Sequence, residues 1–314
     1  MQKVFIDGQE GTTGLKIRER LDGRRDFELI EIDPGKRKDE TARRDCLEAA
    51  DIAILCLPDD AARSAVELVR GKATRLIDSS TAHRVAAGWV YGLPELGASQ
   101  RDAIKTARFV ANPGCHATAF VLGMYPLVKA GIVGKDYPLF VQSLTGYSGG
   151  GKKLIAKYES GEGPKIIDCR PYALALNHKH VPEMTQVVGL DYPPGFLPVL
   201  GPFYNGMIVS VLLERRALAR AHSAKEIHQF FEAHYKGERF IRVMPFDFGA
   251  YLDGPHLPAT GCNETNRADV FVSGTDTQIL VSVRLDNLGK GASGAAVQNL
   301  NLMLGSPEDE GLVA

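Results

Sequence analysis

The chain has 314 residues, 44% of them hydrophobic and 24% charged, with a formal net charge of −1. That length suits two domains, and the composition is that of an ordinary globular protein. The balanced charge points to neither nucleic acid nor a membrane surface, and no apolar run reaches the length of a membrane span or a signal-peptide core.

Lys3-Val4-Phe5-Ile6 reads as a short strand. It leads through Gly8-Gln9-Glu10-Gly11-Thr12-Thr13-Gly14 into a helix over residues 13–21. The spacing is G-x-x-G-x-x-G, but the physical demand matches that of a dinucleotide turn: glycines let the backbone approach a pyrophosphate held at a helix N-terminus. Gly8, Gly11, Thr12, Thr13 and Gly14 are therefore candidate cofactor residues, with a merely tight turn as the alternative. Residues 27–32 form a second strand. After it, Asp33 is placed to bind a ribose 2′-hydroxyl, which favours NAD, whereas Lys36, Arg37 and Lys38 could neutralise a 2′-phosphate. The cation count leans the reading to NADP(H), and a solvated basic turn is the alternative.

The run Asp51-Ile52-Ala53-Ile54-Leu55-Cys56-Leu57 is continuously apolar, as in a strand buried on both faces. A helix over 61–69, a strand over 75–78 and a strand over 107–111 continue the alternation, so the first half reads as a doubly wound parallel α/β sheet. Ser79-Ser80-Thr81-Ala82-His83-Arg84 follows a strand C-terminus, where such sheets bind ligands. Its hydroxyls and arginine could hold a phosphate, or a Ser/Thr could simply cap a following helix.

Asn112-Pro113-Gly114-Cys115-His116-Ala117-Thr118 comes next, with a helix expected over 117–129. Cys115 then sits on a strand-to-helix turn, where free N–H groups and the helix dipole favour a thiolate. A small packed core residue is the competing reading. The five cysteines are few and irregularly spaced, which argues against a disulfide framework and for a reducing cytoplasm. No C-x-x-C pair or H-E-x-x-H run suggests a metal.

Beyond that helix, longer strands over 139–144, 206–212 and 278–283, with one helix over 224–235 among Gly- and Pro-rich loops, fit an α+β domain with a mostly antiparallel sheet. Ser148-Gly149-Gly150-Gly151-Lys152-Lys153 offers backbone donors and two cations, or a flexible loop. In Asn177-His178-Lys179-His180-Val181-Pro182-Glu183, alternate spacing in an extended segment puts the two imidazoles on opposite faces, so that one at most meets the thiol. A final helix over 293–304 is expected to return to the first domain, and the acidic stretch Ser306-Pro307-Glu308-Asp309-Glu310 to fray. The boundaries expected are 1–114 with 290–314 for the dinucleotide domain and 115–289 for the catalytic and oligomerisation domain.

Gly8 to Gly14, Asp78 to Arg84, Tyr91-Gly92-Leu93-Pro94-Glu95-Leu96, Asn112 to Cys115 and His178 to Glu183 occur in the order seen in the N-acetyl-γ-glutamyl-phosphate reductases. The chain resembles the shorter form of that family and, more distantly, aspartate-semialdehyde dehydrogenase. Gly291-Ala292-Ser293-Gly294-Ala295-Ala296 also resembles the family's return to the nucleotide site, which adds Ser293 and Gly294, with Ser79, to the cofactor candidates.

The resemblance implies reduction of a small-molecule acyl phosphate by NADPH through a Cys115 thioester in arginine biosynthesis, in a homo-oligomer, dimer or tetramer. His180 is taken as the base, with His178 toward substrate, although the family match leaves their order open. Arg84 is the candidate for the leaving phosphate, with Asn112 and Lys152 as further substrate-side candidates. A reductase of an aspartyl- or aminoadipyl-type phosphate and a cysteine acyl hydrolase are the competing functions. A nucleotide-binding turn argues against the hydrolase.

Overall fold

The structure, a computed structural model, describes residues 1–161 and 165–314. It divides into two compact units, Met1–Gly114 with Ala292–Val313, and Cys115–Gly291. The first unit runs β1 (Gln2–Asp7), α1 (Thr12–Leu21), β2 (Phe27–Ile30), α2 (Glu40–Ala49) and β3 (Ile52–Leu55). It continues with α3 (Asp59–Leu68), β4 (Arg75–Asp78), β5 (Val90–Tyr91), α4 (Ala98–Thr106) and β6 (Phe109–Ala111). The second unit holds α5 (Cys115–Lys129), β7 (Phe140–Thr145), α6 (Gly151–Glu159), β8 (Arg170–Pro171), α7 (Val181–Val188) and β9 (Gly195–Leu200). After these come β10 (Met207–Glu214), α8 (Ala224–His234), β11 (Ile241–Val243), β12 (Ala268–Gly274) and β13 (Gln278–Leu285). The last helix, α9 (Gly294–Leu304), belongs to the first unit.

The first unit is a six-stranded sheet in the order β2-β1-β3-β4-β6-β5, parallel throughout. Its strands are apolar on both faces because both faces are covered. Val4, Ile6, Ile52 and Ile54 pack in one layer with Ile17, Leu21 and Leu300, and Phe5, Ala53 and Leu55 pack in the other with Leu47, Ala65 and Val69. The order reverses between β1 and β3, whose ends are level, Asp7 opposite Leu55. The carboxyl ends beside such a reversal form the ligand crevice of a doubly wound sheet.

Among the described residues the second unit carries a seven-stranded sheet, β11-β12-β13-β10-β7-β9-β8. Its centre is antiparallel, β10 pairing with β13 and with β7, while β7–β9 and β11–β12 are parallel. α5 is the core helix: Ala117, Phe120, Val121, Leu122 and Met124 are all buried, and it packs on β10, β13 and α7. Truncating a side chain such as Phe120 to alanine in that setting costs about 3–5 kcal/mol. Registers place Ile208, Ser210 and Leu212 of β10 opposite Leu144, Gln142 and Leu280. On that face Phe140, Leu212 and Leu280 are exposed. Among the described residues no helix is long and apolar enough to cross a membrane.

Several expectations change. α5 begins at Cys115 rather than at Ala117, so the cysteine is the first helical residue. Strands β11 and β12 occupy what read as loops between β10 and β13. The sequence 148–153 is a short 3₁₀ turn followed by α6, not a flexible loop. The acidic tail is pinned. Glu308 pairs with Arg101 at 2.9 Å and accepts from Gln298 at 2.7 Å, and Ser306 donates to Asp26 at 2.7 Å.

Asp26 is the best-tied carboxylate of this tail contact. The Arg24 guanidinium, which also donates to Asn301 at 2.6 Å, lowers its pKa to about 2, helped by Ser306. A carboxylate whose folded pKa is lowered adds stability above its unfolded pKa and loses it as pH falls through the folded value. Asp26→Asn should therefore destabilise the protein at neutral pH by about 1 kcal/mol or less, the group being largely exposed. Its thermal midpoint should converge on the wild type as pH is lowered from about 4 toward 2. Melting curves across that range check this; a gap that persists at the acid end contradicts it.

Candidate active site

β6 ends at Ala111, and the residues 112–114 turn the chain into α5 with Cys115 at its first position. The turn is braced inside the first unit: Asn112 is buried, its amide donates to the Ala292 carbonyl at 3.0 Å and its oxygen accepts from Asn299 at 3.2 Å. Asn112 thus shapes the turn that leads to the thiol. Cys115 is half-buried. The first-turn N–H groups of a helix have no intrahelical acceptor, so the helix start is electropositive where the thiol lies.

Cys115 Sγ, one ring nitrogen of His116 and one of His180 all lie within 4.8 Å of one another. His180 arrives there because the segment before α7 is a turn. His180 has helical torsions (φ −87°, ψ −11°) as the residue preceding α7, Val181 N donates to His178 O at 2.9 Å, and His180 N donates to His178 Nδ1 at 3.2 Å. The extended reading, with the two imidazoles on opposite faces, is therefore corrected. The His178 and His180 rings are 4.8 Å apart, and each is in contact range of the His116 ring, at 5.5 and 5.3 Å. Phe196 of β9 closes the cluster, 5.2 Å from both His116 and His178.

His116 is the second residue of α5, and an apolar helix around it gives its imidazole no sequence signal of a role. It is buried, with Nδ1 2.7 Å from Ser143 Oγ and Nε2 2.9 Å from Tyr172 OH. Burial, followed by the charges of His178 and Lys179, pushes its pKa down to about 3. Burial also pushes the Tyr172 phenol upward, with Cys115 adding to the effect. Tyr172 carried no sequence signal, because it follows the two-residue edge strand β8, too short to show a period. Gly291 lies on the opposite side of the thiol. A Cβ there would fall 2.7 Å from Cys115 Cβ, so only glycine leaves the cysteine its room. Lys152 is exposed on α6.

The other candidates lie in the first unit. Gly8 has φ +86°, and a Cβ on it would overlap the Cys56 carbonyl; one on Gly14 would lie 2.5 Å from Gly8 O. Gly11 precedes α1, with its N–H on Gly8 O at 3.0 Å. Thr12, Thr13 and Gly14 form the first turn, whose N–H groups have no intrahelical acceptor. Asp33 Oδ1 accepts the Gly35 N–H at 2.8 Å, capping the 3₁₀ turn Pro34–Lys36. Lys36 is exposed, and Arg37 pairs with Glu10 of the glycine turn at 3.0 Å. Arg37 Nε is buried without a hydrogen-bond partner among the described residues.

In the loop 79–84, Ser79 Oγ lies against the Cys56 thiol, and Arg84 Nη2 donates to Ser79 O at 3.2 Å. The loop is not capped onto a helix as one reading had it. Buried Asp78 holds Ser80 N, Ser80 Oγ and His83 Nδ1 at 2.9, 2.6 and 2.6 Å, and Asp59 holds Thr81. Ser293 and Gly294 stand at the start of α9, where Arg20 Nε donates to Ser293 Oγ at 3.4 Å.

Residues 3–107 match the semialdehyde dehydrogenase NAD binding domain, and residues 115–287 the semialdehyde dehydrogenase dimerisation domain. N-acetyl-gamma-glutamyl-phosphate reductase 2 of a Nostoc species is 49% identical, covering 99% of both chains. The N-acetyl-gamma-glutamyl-phosphate reductase of a Chelativorans species is 48% identical over 96% of this chain and 98% of its own. Aspartate semialdehyde dehydrogenase II from Vibrio cholerae, solved with ASA, has the same fold, with a TM-score of 0.72 at 15% identity over 97% of this chain and 98% of that one.

Proposed function

This chain belongs to the semialdehyde dehydrogenase family, among its N-acetyl-γ-glutamyl-phosphate reductases, and we infer that it reduces N-acetyl-γ-glutamyl phosphate to N-acetylglutamate semialdehyde and phosphate. That reaction belongs to arginine biosynthesis. The observation that carries the chemistry is Cys115 Sγ, at a helix start, within 4.8 Å of a His180 ring nitrogen.

In this reading His180 takes the thiol proton, and the Cys115 thiolate attacks the acyl carbon. Phosphate leaves and a Cys115 thioester remains. NADPH held by the first unit would supply the hydride that reduces this thioester. The first-turn N–H groups of α5 are placed to steady the oxyanion on the former acyl oxygen. The oxyanion re-forms the carbonyl as the C–S bond breaks, releasing the aldehyde and the thiolate, which regains its proton from His180. His178, half-buried beside His180, is assigned to the substrate. Arg84 and Lys152 remain the candidates for the phosphate.

The first unit suits the cofactor on two counts. Gly8 and Gly14 leave a bare backbone surface where side chains would collide, as a pyrophosphate at the α1 start requires. Gly11, Thr12 and Thr13 belong to the same cradle, and Ser79, Ser293 and Gly294 are assigned to the cofactor with them. One oxygen of Asp33 is already spent on the Gly35 N–H, in a turn that presents Lys36 and Arg37, and Arg37 keeps a buried donor in hand. This favours a 2′-phosphate and hence NADPH over NADH. The domain roles follow: 1–114 with the C-terminal helix for the nucleotide, the remainder for catalysis and assembly.

The exposed Phe140, Leu212 and Leu280 on one sheet face of the dimerisation domain fit a second copy of the chain, in a dimer or a tetramer built from such dimers. A thiol nucleophile suits the reducing cytoplasm.

The reverse reaction tests this reading. With N-acetylglutamate semialdehyde, phosphate and NADP, the wild type should form NADPH beyond one equivalent per site only when phosphate is present. Cys115→Ser should lower the rate roughly a thousand-fold or more. His180→Ala should cost about 10²–10⁴-fold and more than His178→Ala. Undiminished turnover by the serine variant contradicts the covalent route, and the opposite histidine ranking exchanges their roles.

Arg37→Ala should raise the dissociation constant for NADPH roughly ten-fold while leaving that for NADH nearly unchanged. Nucleotide fluorescence titration reads this directly, and equal losses for both would remove Arg37 from the 2′-phosphate.

A further inference from the structure

Resting on the Cys115–His180 reading, we propose that His116 is a positioning residue: through Tyr172 it ties the segment 172–180 to the helix that begins with Cys115, and so holds His180 at the thiol. His116 follows Cys115 directly, so its backbone moves with the nucleophile. Its side chain makes two bonds that leave α5. Nδ1 meets Ser143 Oγ of β7 at 2.7 Å, and Nε2 meets Tyr172 OH at 2.9 Å. Tyr172 opens the stretch that ends at His180, and its own N–H is fixed to Pro198 O of β9 at 3.0 Å.

The stretch between has intrinsic reasons to wander. Ala173 and Leu176 hold left-handed torsions (φ 53° and 58°), which cost non-glycine residues free energy, and Leu174 and Leu176 are largely exposed. A segment with that little packing needs an anchor where it begins, so that its course to His180 is set. The His116 ring supplies one by hydrogen bond, and it touches the His178 and His180 rings at 5.5 and 5.3 Å.

The chemistry of the ring suits a fixed bridge. With its pKa pushed down to about 3, it stays neutral at working pH, with one donor and one acceptor nitrogen. Both partners are hydroxyls, which can complement either tautomer. The titratable and charged groups facing it are Cys115 on its own helix and Tyr172, His178, Lys179 and His180 on the opposing segment; β7 and β9 present Ser143 and Phe196. A second cation here would repel the imidazolium that His180 becomes after taking the thiol proton, so a neutral bridge leaves that charge to His180 alone.

Two isosteric substitutions separate the bridge from mere packing. An asparagine amide reaches about as far as Nδ1 and keeps the Ser143 bond, whereas a glutamine amide reaches about as far as Nε2 and keeps the Tyr172 bond. His116→Asn should lower kcat about 10–100-fold, the scale seen when an orienting partner is removed, and slow Cys115 alkylation by iodoacetamide similarly at neutral pH. His116→Gln should stay within a few-fold of wild type by both measures.

Tyr172→Phe, which deletes only a hydroxyl, should reproduce the asparagine variant, and the double variant should add little. Equal losses for Asn and Gln, or additive losses for Asn and Phe, overturn the positioning role. Alkylation that ignores His180→Ala overturns the Cys115–His180 pair itself, since that rate does not depend on any acyl substrate.

Discussion

The site depends on the packing of α7 along α5. α5 is buried along most of its length, so its first residue has a fixed place, and α7 begins one residue after His180. Two helix starts are thereby brought side by side, one carrying a thiol and the other an imidazole. In neither case does a flexible side chain have to search for its partner. Gly291 keeps the thiol's far side open, and the His116 bridge closes the near side. Geometry of this kind rests on apolar burial, where large side chains such as Phe120 on α5 and Phe196 beside the histidines resist rearrangement.

The nucleotide unit meets a different demand with backbone alone. Gly8 and Gly14 matter for the atoms they lack, because a Cβ at either would strike a carbonyl of the same turn or of the next strand. Charge is then placed around the bare surface. Arg43 neutralises buried Asp7 at the end of β1 at 2.7 Å, while Asp33 gives one oxygen to its own turn, with Lys36 exposed and Arg37 paired to Glu10 beyond it. A carboxylate at the end of β2 therefore does not by itself favour NAD; what it is bonded to decides.

Much of this was legible in the residues, and the failures have physical causes. β3 and β4 were plain because strands covered on both faces must be continuously apolar. α2 and α4 left no comparable trace, since each is charged and buries a single side chain, Leu47 or Ile104. β9 carries Pro198, which disguises a strand, and β11 is only three residues long. The candidate nucleophile was readable from Asn112-Pro113-Gly114-Cys115, because a strand, a turn and a helix start leave local marks. The histidine pair was found but misplaced: His180 takes helical torsions, so alternate spacing did not mean opposite faces. His116 and Tyr172 could not be paired from sequence, because 56 residues separate them and only tertiary packing joins them. The tail looked like a solvated acidic end, yet Arg24 and Arg101 from the first unit hold it.

The central claim is that Cys115 carries the acyl group. Incubation with N-acetylglutamate semialdehyde and NADP in the absence of phosphate lets oxidation proceed to the thioester and stops there. Mass spectrometry of the quenched protein should then find one N-acetylglutamyl group on the peptide containing Cys115, and adding phosphate should remove it. An unmodified Cys115 accompanied by NADPH formation, or an acyl group on another residue, would contradict the account.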